Sequence, residues 1–198
     1  MSHIASALQA QGVPVTASPW SVDPSHSNAH FTVRHMMISN VRGEFSLVSG
    51  NVQLDPADVT RTQIEIEIKA ASINTREEKR DAHLRSPDFF DVEKYPDIIF
   101  RSKRIVAKGD GDFQVLGDLT IHGVTRETTF AVEGPTPVVK DPWGNLRIGI
   151  TANAKINRKD FGLGWNALIE GGGVMVGEDV KIELDAELVR TAPQKASA

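Results

Sequence analysis

The 198-residue sequence contains no cysteine, which excludes disulfides, thiolate nucleophiles, zinc-finger sites and iron–sulfur clusters and leaves burial as the source of stability. Aromatic residues make up only 6% of it and Tyr95 is the sole tyrosine, so its interior offers few rings on which a heterocycle would stack. Basic charge is not in excess: 22 Lys and Arg against 26 Asp and Glu give −4. That sign is wrong for neutralising a phosphate backbone, and no nucleic-acid partner is expected. No apolar run approaches the roughly 20 residues of a membrane helix, so the chain is not expected to span a membrane. Residues 1–18 lack Lys or Arg ahead of Ala5, Ala7 and Leu8, and Ser6, Gln9 and Gln11 interrupt any signal-like apolar stretch. These features predict a flexible N-terminal segment over 1–18 and a cytoplasmic location, with the periplasm as the alternative. The aperiodic residues 191–198 are expected to form a flexible tail, which leaves 19–190 as one domain without a linker or repeat.

What is present is alternation. Val180, Ile182, Leu184, Ala186 and Leu188 alternate with Lys181, Glu183, Asp185 and Glu187, the pattern of a strand with one wet face. The same period runs through Ile64, Ile66 and Ile68 and through Leu146, Ile148, Ile150, Ala152, Ala154 and Ile156. Weaker versions cover 29–35, 45–54, 98–107, 113–121 and 128–132, giving eight expected strands. One-sided strands argue for antiparallel pairing, since parallel strands covered on both faces read as continuous apolar runs. Turn chemistry at 108–111, His122-Gly123 and 141–144 joins neighbours into a meander. Residues 74–84 are charged helix formers stopped by Ser86-Pro87, which predicts a short helix between the third and fourth strands. Residues 157–177, with Gly171-Gly172-Gly173, are expected to form a loop or lid. Eight such strands form either a two-sheet sandwich or a closed barrel, and the barrel removes the open edges.

The chemical motifs are sparse. His26, His30, His35, His83 and His122 have no metal-ligand spacing, and no metal is expected. Ser86, Ser102 and Thr120 lack a nucleophile-elbow setting, Asp160 near Arg158 suggests an ion pair or a cap, and the glycine triplet lacks the ending of a phosphate loop. His35 shares a strand face with Phe31 and Val33, which makes it a buried structural histidine or a polar contact at the end of a ligand.

Several exact strings are more specific. Trp20-Ser21-Val22-Asp23-Pro24-Ser25-His26-Ser27, Phe31-Thr32-Val33-Arg34-His35 and Val41-Arg42-Gly43-Glu44-Phe45 resemble the start of the YceI-like family of lipid-binding proteins. His83-Leu84-Arg85-Ser86-Pro87-Asp88-Phe89-Phe90-Asp91 and Tyr95-Pro96-Asp97-Ile98-Ile99-Phe100 resemble its helix-to-strand passage. Gly117 to Thr125, Lys155 to Gly162 and Gly177 to Val180 continue the likeness in order, so that it covers about Trp20 to Arg190. The resemblance implies an all-β, extended eight-stranded antiparallel lipocalin-like barrel. It further implies a homodimer that binds a long-chain isoprenoid lipid, such as a quinone precursor, without catalysis or cofactor.

From the residues alone, the apolar faces either fill a closed core or enclose one small ligand. The resemblance implies the second, with Phe31, Val33, Phe45, Ile64, Ile66, Phe100, Leu119, Ile121, Phe130 and Ile150 lining the interior and His35 as the polar contact. The alternatives are an enzyme for a hydrophobic substrate that uses His35, and a stress or interaction protein whose barrel is filled.

Overall fold

The structure, a computed structural model, describes residues 3–10, 15–109, 111–169 and 173–190. Its helices are α1 (His3–Ala10) and α2 (Glu78–Arg85). Its strands are β1 (Ser18–Val22), β2 (Asn28–His35), β3 (Ser39–Phe45), β4 (Val48–Leu54), β5 (Gln63–Lys69), β6 (Ile73–Asn74) and β7 (Asp97–Gly109). They continue with β8 (Asp112–Ile121), β9 (Val124–Glu133), β10 (Val139–Lys140), β11 (Leu146–Asn157), β12 (Leu168–Ile169), β13 (Gly173–Val174) and β14 (Val176–Arg190).

The expected eight-stranded antiparallel barrel is observed. Antiparallel pairing runs β1, β4, β5, β7, β8, β9, β11, β14 and back to β1. The seam between β11 and β14 is in register from Leu146↔Arg190 to Asn157↔Asp179, so alternating side chains of both strands face the same lumen. Leu119, Ile121, Ile148, Ala152, Leu184 and Leu188 are buried there, in one core with Trp20 and Ile66.

The barrel is extended because β14 outruns β1. Val22 lies opposite Leu188, then Asp23–Ser27 bulge outward, and the ladder resumes with Asn28 opposite Asp185 as β2. The buried Ser27 hydroxyl accepts the Glu187 N–H at 3.0 Å, so the bulge leaves no orphaned donor on β14. β3 and β6 then add to the outer side of β2. The strand expected over 45–54 is therefore two, broken after Phe45. β1 was not among the expected strands, because five residues containing Pro19 offer too little alternation.

Other corrections are local. The N-terminal segment expected to be flexible contains α1, whose Ala5 and Leu8 are fully buried. Apolar residues three apart form one helical face, a period that a search for signals or strands does not score. The helix expected from Asn74 begins only at Glu78, because Asn74 pairs in β6 and Arg76 adopts φ +63. Glu77 caps it, accepting the Lys79 and Arg80 N–H groups. His122 and Gly123 both have positive φ, as the mirror-image turn of a two-residue hairpin requires. The expected tail 191–198, Asp110, Gly171 and Gly172 lie outside the described residues.

One ionic clasp ties the chain together far from the helix. Arg147 of β11 binds Asp23 beyond β1 at 2.7 Å, Asp141 of the preceding turn at 2.9 Å, and Glu187 of β14. Hydrogen bonds from Ser25, Arg147 and His26 hold the Asp23 carboxyl far below the usual range. Burial pushes Asp141 up, but bonds from Arg147, Asn145 and Trp143 outweigh it and bring the group from 3.8 to about 2. A carboxyl with a depressed folded pKa is more protonated when unfolded, so its stabilisation is complete above the ordinary value and disappears below the folded one. Urea midpoints should therefore fall between about pH 4 and pH 2. Arg147→Met should be less stable at pH 6 and should lose less over that acid window; parallel curves for the two proteins would contradict the clasp.

Candidate functional site: an apolar cavity in the barrel

The inward faces do not close completely. They enclose a cavity of about 180 Å³ bordered by 27 residues, of which only His30 and Arg158 are polar or charged. Ten residues expected from the sequence border it: Phe31, Val33, Phe45, Ile64, Ile66, Phe100, Leu119, Ile121, Phe130 and Ile150. His35 does not. It sits at the end of β2, opposite Val176 and Ser39, beyond the cavity wall.

Strand alternation supplies the walls and the segments between strands supply the cover. Leu84 of α2, Phe89 and Phe90 of the turn after it, and Arg158 and Leu163 beyond β11 all reach the cavity. Phe45 stands between Phe31 and Phe90, with ring centroids 5.7 Å from each. Trp165 packs against His83 at 4.7 Å and Phe89 at 5.2 Å, while His83 Nε2 lies 2.8 Å from Asp88 Oδ2. The lid is thus an aromatic cluster joining α2 to the 157–167 segment.

Two glycines set how the rings lie. A Cβ on Gly43 would fall 2.4 Å from Phe31 Cζ and 2.8 Å from Thr75 Cγ2. One on Gly117 would fall 2.3 Å from the Arg101 carbonyl oxygen and 2.6 Å from Phe100 Cζ. Each glycine lets the aromatic ring of a neighbouring strand lie across its backbone. Phe100 in turn meets Phe130 edge-on at 5.0 Å.

Arg158 was not among the expected lining residues. It is 3% exposed, and its guanidinium donates to the carbonyls of Gly177 at 2.9 Å, Val176 at 3.4 Å and Leu163. The ion pair with Asp160 suggested by the sequence is absent among the described ion pairs, and the cap of that turn is Asn157, which accepts the Lys159 N–H. Burial lowers the Arg158 pKa, with the charge of Glu178 acting the other way. Carbonyl dipoles are therefore its immediate partners, and a guanidinium has five N–H donors in a planar fork. His30 lies 3.8 Å from Glu44 and is half exposed.

Elsewhere, ligating atoms of Asp23, His26 and Glu187 come within 4.8 Å of one another, but Arg147 already sets a cation against both carboxylates. The Ser102 hydroxyl accepts the Ile64 N–H, Ser86 donates to the His83 carbonyl, and Thr120 meets Thr125. These hydroxyls serve strand and helix ends, and none has a histidine ring as partner among the described hydrogen bonds.

If glycine sets the ring positions, Gly43→Ala should drive Phe31 inward and destabilise the fold by about 1–3 kcal/mol in urea titration. An unchanged midpoint would show that the ring moves freely.

Comparison with known proteins agrees with this geometry. The YceI-like domain model matches residues 20–188. A UPF0312 protein of Staphylococcus aureus strain N315 is 38% identical over 169 residues, 85% of this chain and 95% of that protein. The crystal structure of Burkholderia cenocepacia BcnA superposes with a TM-score of 0.71 at 25% identity, over 86% of this chain and 99% of the other. A polyisoprenoid binding domain from Saccharophagus degradans, 18% identical, shares the fold with a TM-score of 0.61, over 88% of this chain and 98% of its own. With the family model matching residues 20–188 and a relative 38% identical over most of both chains, the chain belongs to the YceI-like family.

Proposed function

We propose that the barrel binds a long-chain isoprenoid amphiphile without transforming it. The observation that carries this reading is the lining itself: an apolar wall broken by one buried cation, Arg158, and by His30. Each methylene moved from water into such a wall contributes about 0.8 kcal/mol, so a chain of several isoprene units offsets the cost of association with no polar contact. Selectivity along the chain is then weak, and an oxygen-bearing head group is distinguished at Arg158 rather than at His35. The likeness to a polyisoprenoid binding domain supports the same class of ligand.

Size adds a condition. A cavity of about 180 Å³ is close to the ~150 Å³ that holds a single benzene ring, so a longer chain requires rings to swing aside. Phe31 and Phe90 are only partly buried, and they are the side chains whose rotation opens the lumen beside Phe45. The same volume favours the competing reading, a barrel filled by its own side chains that acts as a stress or interaction protein. For the carrier we further propose a homodimer with no cofactor.

Uptake of a polyprenol supplied from cyclodextrin decides between the two readings. The wild type should bind it saturably, and Ile66→Glu with Ile150→Glu should abolish uptake. Undiminished binding by a folded double variant would place the lipid outside the lumen. Arg158→Met, with its fold verified by circular dichroism, should weaken binding of a polyprenyl phosphate about tenfold more than that of the alcohol. Equal losses would remove Arg158 from the head-group role.

A further inference from the structure

The end of the barrel that carries β2 and β3 has a surface that lumenal binding does not explain. Among the described residues, six large apolar side chains stand out into solvent, and three of them gather here: Met37 at 60%, Ile38 at 75% and Leu168 at 87% exposure. They are neighbours through the backbone. The Met36 N–H donates to the Met175 carbonyl at 2.8 Å, and the Met175 N–H donates to the Ala167 carbonyl at 3.0 Å. These bonds set the β2–β3 turn beside the β12–β13 hairpin.

The turn is built at a conformational cost. Met36 and Met37 have φ +48 and +60, and the Ile38 N–H closes the turn onto the His35 carbonyl at 3.0 Å. A turn with positive φ at both central positions favours Asn and Gly, which adopt it with less strain than methionine. Two methionines at such positions point to a use for the exposed side chain of Met37.

Below the apolar tip lies a cationic collar. The register places Lys181, Thr32 and Arg42 in one cross-strand row on the outer face, and Arg34 lies two residues nearer the tip on that same face. All three cations are exposed and none has a carboxylate within 4.0 Å among the described residues; Arg34 binds only the neutral Asn40 side chain. On the tip side of this row, the β14 acids Glu178 and Asp179 are paired with Lys159 and Lys155; Glu183 and Glu44 occupy the next row on the same face, on the side away from the tip. The cavity lining reaches Val33 and Val176, which lie on the strands leading to this tip.

We propose that this end docks on an anionic lipid bilayer, with Met37, Ile38 and Leu168 inserted at the headgroup boundary and Arg34, Arg42 and Lys181 against the headgroups. An apolar tip with unpaired cations along one adjoining face is complementary to such a surface, and each cation near it strengthens the attraction. Cargo then passes between the bilayer and the barrel at the end where Val33 and Val176 line the cavity. That purpose rests on the carrier reading; the docking itself does not.

The test uses the full chain and flotation with two sets of vesicles, phosphatidylcholine alone and an equimolar mixture with phosphatidylglycerol. The wild type should bind the anionic vesicles, weakly bind the neutral ones, and dissociate as salt is raised. Met37→Gly with Ile38→Ser should reduce binding at least tenfold while thermal stability stays equal or rises, since glycine relieves the positive φ. Arg42→Glu with Lys181→Glu should reduce binding about tenfold. Absence of vesicle binding by the wild type at low salt, or full binding by both variants, would overturn the proposal. So would a sedimentation experiment in which the tip variants convert a dimer to a monomer, because the occupant would then be a second copy. Uptake of polyprenol from cyclodextrin is measured in parallel. Docking without uptake would overturn the carrier reading and leave this one standing, and uptake without docking would do the reverse.

Discussion

Closure of the sheet is the constraint on which the rest depends. Once β11 and β14 pair along their full shared length, every second side chain of eight strands points toward one lumen and is wholly or partly withdrawn from water. Such positions must be apolar, and Ile64, Ile66, Leu119, Ile121 and Ile150 satisfy that requirement. The same geometry leaves no open edge within the ring, so the polar faces of the strands are free to carry surface ion pairs. The β2–β3 extension is the exception, a ribbon beyond the closed part whose outer side is only partly covered by β6.

A closed lumen of apolar side chains becomes a cavity only if the side chains fail to fill it. Here the shortfall arises from ring placement. Gly43 and Gly117 let Phe31 and Phe100 lie across neighbouring backbones, and the lid rings of Phe89, Phe90 and Trp165 pack on one another and on His83. Arg158 ties the lid to the wall: its carbonyl acceptors belong both to Leu163 in the covering segment and to Val176 and Gly177 at the start of β14. A single buried guanidinium thus fixes the cover in place and supplies a positive charge at the cavity wall.

Much of this was legible in the sequence because a strand's period of two survives in one chain without help from its neighbours. The strands that alternate cleanly, β5, β11 and β14, were recognisable from Ile64–Ile68, Leu146–Ile156 and Val180–Leu188, and their inward positions followed from parity alone. Features that depend on tertiary context were not legible. β1 is short and contains Pro19, so its identity as a barrel strand comes from pairing with β4 and β14. Parity placed His35 on the inner face, yet parity does not show where the cavity ends along β2, and His35 lies past that point. Arg158 follows the last alternating residue of β11, where the chain turns, so no period assigns its direction. Phe89 and Phe90 lie after a charged helix, and they reach the cavity because α2 is anchored to the segment before it, by Asp81 and Arg80 to Thr75 and by Arg85 to the Ala71 and Ile73 carbonyls.

Native mass spectrometry of the protein purified from its own host, followed by organic extraction, tests the central claim most directly. The account predicts a stoichiometric adduct that releases a hydrocarbon of several isoprene units. A clean protein mass, together with no saturable complex when prenyl lipids are added, would contradict it and leave a barrel filled by its own side chains.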